Sequence, residues 1–382
     1  MSKPLKIFIG ILVLVVVIFL IQKSRNNQTQ NSQAIKIGAV YDLSGVFADG
    51  GKAFMEGNEI AKEIINSEGG INGRLLELLY EDDPNQEAKA AINAANKLIH
   101  QDKVETIITT TFSGLAGMQT LAETSKTPIV NIIDGSDKIS PLGEWLFGVG
   151  IYDEGQGYEV GTFARETLKL TKAAVIAGKD EYLLTVADAF ESKFKELGGT
   201  ITGREEFIVG ETDFRTKLAK LINSGAEAIF FSHLGEGGPG IKQANELGFK
   251  GVFLGTDTMS VADVPKVAGA YLDNRTYFAL WRNFDALTDG QKEFAEKYKT
   301  KYGKEPGDYL FYNVLGYDGL MVLAEAIKNS DGTGAGIKDA LYKIQNFDGL
   351  SGPISIDETG INRDPKSAMV MYKKGKIVRY KK

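Results

Sequence analysis

The sequence predicts a two-lobed α/β protein, each lobe a mostly parallel sheet flanked by helices. Three observations carry this. From Ile35 onward short apolar runs alternate with helical patterns, the βαβα rhythm of a parallel sheet covered by helices. The rhythm breaks near Tyr152 and restarts, giving two sets of similar size. The 382 residues exceed one average domain and suit two.

The first set opens with the strand pattern "IKIGAV". In "GKAFMEGNEIAKEIINSEGG" Phe54, Ile60, Ile64 and Ile65 share a helical face, and the glycine pair stops it. "LLELLY", "TIIT" and "TPIVNII" read as strands, separated by the helical patterns "NQEAKAAINAANKLIHQ" and "GLAGMQTLAETS". The second set alternates the helices of "GQGYEVGTFARETL", "YLLTVADAFESKFKELGG", "TDFRTKLAKLINSG" and "GIKQANELG" with the strands of "KAAVIAG", "TITGREEF", "EAIFFSH" and "GVFLGT". After Trp281 come two long helical patterns, "DGQKEFAEKYKTKYG" and "GDYLFYNVLGYDGLMVLAEAIKN". "SGPISID" and "SAMVMYKKGKIVRY" close the chain as strands.

Composition narrows the function. The chain has no cysteine, which excludes disulfides, thiolate metal sites, a cysteine nucleophile and a lipoprotein anchor. It has two histidines, His100 and His233, so a His-rich metal site is not expected. Four of the 44 basic residues (Lys3, Lys6, Lys23, Arg25) fall within the first 34 positions and none of the 50 acidic ones do, so the remainder is more acidic than the overall −6. That balance does not favour nucleic acid. HExxH, GxSxG, Walker A and EF-hand patterns are absent. "GEGGPG" (Gly235 to Gly240) formally fits the dinucleotide pattern GxGxxG, with Asp257 about where a ribose-binding acid belongs. Glu236 would put negative charge inside a pyrophosphate loop, so a glycine-rich turn lining a cleft is the better reading.

The N-terminal 34 residues read as a signal-anchor and polar tether. Lys3 and Lys6 precede the apolar run Ile7 to Ile21, and "SRNNQTQNSQ" is unpatterned. "SQA" (Ser32 to Ala34) would serve as a cleavage site but lies far beyond the apolar core, so an uncleaved anchor with the body outside the cytoplasm is expected, and secretion if it is cut.

Ligands of parallel α/β sheets sit at the carboxyl ends of strands. There the chain carries small and polar residues: "YDLSGVFADGGKAF" after the first strand, "TTTFSG" after the third, and "IIDGSDKIS" after the fourth. Ser113 is expected to cap a helix starting at Gly114, whose N-terminus suits a carboxylate. Thr111 and Phe112 are expected to line the pocket. Asp134 and Ser136 are placed to face the same cleft.

These residues resemble the leucine–isoleucine–valine-binding protein family, the type I periplasmic binding proteins of ABC transporters. The resemblance rests on "NSEGGINGR" with the acidic "EDD" (Glu81 to Asp83) after the next strand. "ANKLI", "TSKTPIVNI", "DEGQG" (Asp153 to Gly157) and "LGYDGL" (Leu315 to Leu320) follow in order, over essentially the whole body from Ile35. It implies a Venus flytrap with three interlobe crossings. Lobe I would be residues 35–152 plus about 282–357, and lobe II about 153–281 plus 358–382. It implies that Ser113 takes a ligand carboxylate, that Ser136 binds the ligand backbone, that Tyr182 contacts the ligand and that Asp257 holds its ammonium. His233 and Tyr312 fall near pocket-wall positions. Two departures from the family stand out, one being the anchor, since members are usually freed or lipidated, and the other lying in the pocket. Asp134 stands where a small residue is usual, which would strengthen ammonium binding or select a second cationic or amide group, and would repel a carboxylate. Asp257 is one methylene shorter than the commoner glutamate.

The expected function is that of an extracytoplasmic solute-binding protein feeding an ABC permease, with a small amino acid (branched-chain among the candidates) or an amide as ligand. No cofactor, metal or catalysis is expected, and a monomer is. A ligand-sensing partner of a membrane receptor is the alternative, and an NAD-dependent enzyme a remote one.

Overall fold

A computed structural model describes residues 33–45, 47–84, 87–282 and 286–381. Residues 1–32, which hold the expected anchor and nearly all of its tether, lie outside the described residues. The first lobe runs through β1 (Ile35–Tyr41), α1 (Ala48–Ser67), β2 (Leu76–Asp82), α2 (Ala88–Lys97), β3 (Thr106–Thr109), α3 (Phe112–Ser125), β4 (Ile129–Asn131), β5 (Asp134–Gly135), β6 (Leu146–Gly148) and β7 (Ile151–Tyr152). Its sheet has the order β2-β1-β3-β4-β6, all parallel. Strands β1, β3 and β4 are almost wholly buried, because helices cover both faces. That is why they read as unbroken apolar runs rather than alternating ones.

The second lobe begins at α4 (Asp153–Thr162). It continues through β8 (Lys172–Gly178), α5 (Glu181–Glu196), β9 (Thr200–Phe207), α6 (Arg215–Asn223), β10 (Ala228–Ser232), α7 (Gly237–Glu246), β11 (Val252–Gly255), α8 (Asp263–Ala268) and β12 (Thr276–Trp281). The chain then returns to the first lobe for α9 (Asp289–Tyr302), α10 (Leu310–Lys328), α11 (Gly334–Leu341), β13 (Phe347–Gly349) and β14 (Gly352–Ile354). Leu315, Leu320, Leu323, Ile337 and Leu341 from this segment share one core with Ile37, Phe54 and Val130. Finally β15 (Ser367–Lys373) and β16 (Lys376–Arg379) add antiparallel to the second sheet, whose order is β16-β15-β12-β11-β10-β8-β9.

Helix α10 with the turn before it, Gly307–Lys328, is long and apolar enough to cross a membrane. It does not need one, since it packs against α1 in the first core. At that crossing Asn58 Nδ2 donates to Gly316 O at 2.7 Å, and Asn313 Nδ2 donates to Ala53 O at 2.8 Å. Reciprocal buried amides of this kind satisfy each other's neighbours while fixing the register of two helices.

Two local readings change. The helix after β3 starts at Phe112, not Gly114, and its cap is Thr111, not Ser113. Thr111 is extended (φ −86°, ψ 118°) and its hydroxyl accepts from Gly114 N–H at 3.1 Å, whereas Ser113 already lies inside the first turn. Helix α11, capped by Thr333, has no counterpart among the sequence-based elements. It is only eight residues long and rich in glycine and alanine, so its apolar face is short.

Strand β2 ends in a carboxylate cluster. Asp42 accepts from Gly45 and Phe47 N–H, and Asp82 from Leu43 N–H and the Ser44 hydroxyl. Asp83 is fully buried, and neither of its oxygens has a hydrogen-bond partner. Burial, with Asp42 and Asp82 adding to it, pushes the Asp83 carboxyl up to about 7. A carboxyl raised in the folded state stabilises most below its unfolded pKa of about 4, and loses that contribution as pH climbs through about 7. Asp83→Asn is therefore expected to raise stability at pH 8 by about 1–3 kcal/mol and to change it little at pH 4. Urea melts at the two pH values check this; an equal effect at both would refute it.

Candidate functional site

The loops at the carboxyl ends of both sheets meet between the lobes. Parallel pairing of β5 with β7 sets Asp134 opposite Ile151 and Gly135 opposite Tyr152. The next residue along is Asp153, the first of α4, so one short pairing brings Asp134 and Asp153 to the same spot. Across the cleft, α5 begins at Glu181 and carries Tyr182 in its first turn, while β11 ends at Gly255 and delivers Thr256 and Asp257.

Tyr182 and Asp257 form the central pair. The Tyr182 hydroxyl donates to Asp257 Oδ1 at 2.7 Å, lies 3.4 Å from Thr256 Oγ1, and accepts from Gln156 Nε2 at 3.3 Å. Burial pushes the Asp257 carboxyl above its ordinary value, against the hydrogen bonds of Tyr182 and nearby backbone N–H groups. Burial likewise raises the Tyr182 hydroxyl, with Asp257 and Asp153 adding to it.

Beside Asp257 opens a cavity of about 680 Å³, a size typical of small-molecule sites. Both lobes contribute its wall: Phe47, Phe311 and Tyr312 from the first, Leu280 and Trp281 from the second. Trp281 stacks on Phe311 (centroids 4.5 Å apart, 14° between planes), and Tyr312 meets Phe47 edge-on at 5.5 Å. The cavity thus has the Asp257 carboxylate at one end, with Tyr182 bonded to it from behind the lining, and an aromatic wall along the rest.

The structure brings Asp134, Tyr182, Asp257 and Tyr312 into one region and sets the other expected residues at different removes. Ser136 is buried and committed, donating to Glu154 Oε1 at 2.7 Å. Phe112 packs against the apolar layer under α2 and α3, not into the 680 Å³ cavity. Ser113 is exposed in the first turn of α3. His233 sits fully buried inside the second lobe, its ring edge-on to Phe231 and its Nε2 3.5 Å from Met259 Sδ. Burial pulls its imidazole down to about 4, so it is neutral at pH 7.

Sequence reasoning missed Asp153, Gln156, Phe47 and Trp281. Asp153 and Gln156 were in view within "DEGQG", but nothing in their spacing says that the lobe crossing turns them towards Tyr182.

The glycine-rich loop Gly235 to Gly240 does not fit a pyrophosphate. Glu236 folds into it and accepts from Gly210, Leu234 and Gly235 N–H at 2.6, 3.0 and 2.9 Å. The carboxylate thus takes the N–H groups of Leu234 and Gly235 and sets negative charge where a phosphate would lie. Among the described residues no group of three or more His, Asp or Glu is placed to hold a metal ion.

A family model described as periplasmic binding protein matches residues 34–376. The chain belongs to the periplasmic binding protein family. An amino acid binding protein of Pseudomonas aeruginosa is 29% identical to this binding protein over 309 residues, covering 80% of each chain. Leu/Ile/Val-binding protein homolog 3 of Brucella melitensis is 26% identical over 351 residues, covering 90% of this chain and 93% of its own. Among solved structures, the leucine binding protein LivK of Thermotoga maritima superimposes with a TM-score of 0.77 at 28% identity, over 91% of this chain and 98% of its own. The branched-chain amino acid transporter substrate binding protein LivJ of Streptococcus pneumoniae, in complex with isoleucine, gives 0.75 at 26%, over 90% and 98%. The binding protein therefore shares the two-lobed type I architecture and a solute-binding role with proteins that work by holding a ligand.

Proposed function

We propose that this binding protein captures a small amino acid or amino-acid amide between its lobes, outside the cytoplasm and tethered by its N-terminal segment, and presents it to an ABC permease. The observation that carries the reading is Asp257, held by the Tyr182 hydroxyl, standing at the wall of the aromatic cavity. A carboxylate held by a phenol is a ready partner for an ammonium group, and Phe47, Trp281 and Tyr312 offer apolar surface to a side chain. The first turn of α3 around Ser113 supplies backbone N–H groups for the ligand's carboxylate or carbonyl oxygen. Contacts from both lobes favour the closed state, and that population shift is what a permease can read. The lobes already meet through Lys138, whose ammonium pairs with Glu181.

Calorimetry on the detergent-solubilised chain against the twenty amino acids and their common amides tests this. No heat from any of them, with folded protein, sinks the reading. Ser113→Ala is expected to weaken the ligand that does bind by about tenfold, or about 1.4 kcal/mol, while leaving the melting temperature within about 2 °C. A melting loss as large as the affinity loss would assign Ser113 to stability instead.

A further inference from the structure

The cleft holds more negative charge than one ammonium requires. Asp134, Asp153, Glu154 and Asp257 converge from β5, the start of α4 and the end of β11, and Asp180 at the cap of α5 faces Asp134 as well. Asp153 is only 2% exposed and its Oδ2 has no hydrogen-bond partner; Glu154 Oε2 is buried in the same condition. Lys138 is the cation that reaches Asp153, and it is already paired with Glu181. A buried carboxylate oxygen left without a donor is costly, and here two such oxygens, Asp153 Oδ2 and Glu154 Oε2, belong to consecutive residues at the ligand cleft, although the other Glu154 oxygen accepts from the Ser136 hydroxyl and Asp137 N–H.

Asp134 adds a second point. Asn131 Nδ2 joins its Oδ2 at 3.0 Å and contacts the carbonyl of Thr111, the cap of α3, at 3.5 Å. The chain's own carboxylate therefore stands beside the helix N-terminus to which a ligand carboxylate would go. A second anion there meets like charge in a poorly solvated place.

We infer that the ligand is an organic cation of net positive charge, whose ammonium lies among Asp257, Asp134 and Asp153 and which presents an uncharged carbonyl, rather than a carboxylate, to the first turn of α3. This rests on the solute-binding reading and sharpens its ligand class. Its apolar body lies along Phe47, Trp281 and Tyr312. Burial raises the Asp134 carboxyl to about 7 and Asp153 well above the ordinary range, so the empty cleft holds protons. A bound ammonium replaces them, and binding at pH 7 releases protons to the buffer.

Matched pairs decide the charge, because each differs only at the carboxyl group: L-leucinamide against L-leucine and L-phenylalaninamide against L-phenylalanine. All four are titrated calorimetrically into the detergent-solubilised full chain at pH 7 in phosphate and in Tris. The expected result is at least tenfold tighter binding of one amide than of its parent acid, with an apparent heat that differs between buffers in the sense of proton release. Equal or tighter binding of the acid overturns this inference and leaves the amino-acid reading standing. Binding by none of the four overturns it too, and the amino-acid reading then depends on the wider panel. Asp134→Asn serves as the internal control. The amide preference should fall at least fivefold, with the acid gaining; an unchanged ratio removes Asp134 from the assignment. Far-ultraviolet dichroism of the variant confirms that it is folded.

Discussion

Asp257→Asn abolishes most ligand binding, by roughly 100-fold, or about 2.7 kcal/mol, and does not lower the melting temperature of the empty protein. The two halves have one origin. On the proposed reading Asp257 would offer charge to a ligand's ammonium; it is partly buried, and burial already raises its carboxyl. Removing that charge removes a charge-assisted contact to the ammonium. It also removes a desolvation penalty that the unliganded protein otherwise bears. The asparagine oxygen still accepts from Tyr182, so the 2.7 Å hydrogen bond survives in kind. Calorimetry and a thermal melt on the same preparation measure both. Loss of binding together with a fall of several degrees would mean that Asp257 holds the lobe together and that its effect on the ligand is indirect. The melt is best compared at pH 8, because a carboxyl whose folded pKa is raised has lost its stabilising contribution once pH exceeds that pKa.

The largest effect on stability is expected from the α1–α10 crossing. A Cβ added at Gly57 would lie 1.9 Å from the backbone oxygen of Asn313, and one at Gly316 would lie 2.3 Å from the oxygen of Phe54. Both obstacles are main chain in the middle of packed helices, so no side-chain rotation relieves them. Gly57→Ala must push the helices apart. That breaks the reciprocal amide bonds of Asn58 and Asn313 and opens voids around Phe54 and Leu315. The cost is expected at about 3 kcal/mol or more, the upper end for overpacking a core. Urea denaturation measures it. A loss under about 1 kcal/mol would show that the helices slide apart freely. A control at Gly69, which has φ +98° and no atom within 4 Å of its added Cβ, should cost less and through backbone strain alone.

Much of the fold was legible because local and global signals agree in this chain. Strands such as β1, β3 and β10 are buried on both faces and therefore appear as short apolar runs. Helix α1 shows its face at Phe54, Ile60 and Ile65, and the glycines behind it, Gly69 and Gly70, take φ of +98° and +76°. The pieces that escaped were those with weak local pattern. Helix α11 is short and small-sided, and β5 and β7 are two-residue strands paired with each other across the stretch from Ser136 to Gly150, too short to show a period.

The site divides along the same line. Of the candidate residues, Asp134 could be named from its place after a strand, since a parallel α/β sheet puts such places at its ligand edge; Tyr182, Asp257 and Tyr312 are implied only by the family resemblance. The cap of α3 could not be settled that way. Thr111 and Ser113 are equally good capping residues by type, and only the backbone dihedrals choose between them. Ser136 and Asp153 depend on the crossing between lobes. One is committed to Glu154, and the other is left buried with an unpartnered oxygen.

What the sequence by itself determined is the alternation of elements, the two-lobed class and the strand ends that would face a ligand, because hydrophobic period and turn chemistry are local properties. What only the tertiary structure decided is which of the many carboxylates converge. Asp134, Asp153 and Asp257 lie up to 123 positions apart in the chain, and their mutual repulsion and burial arise from long-range packing that no local pattern encodes.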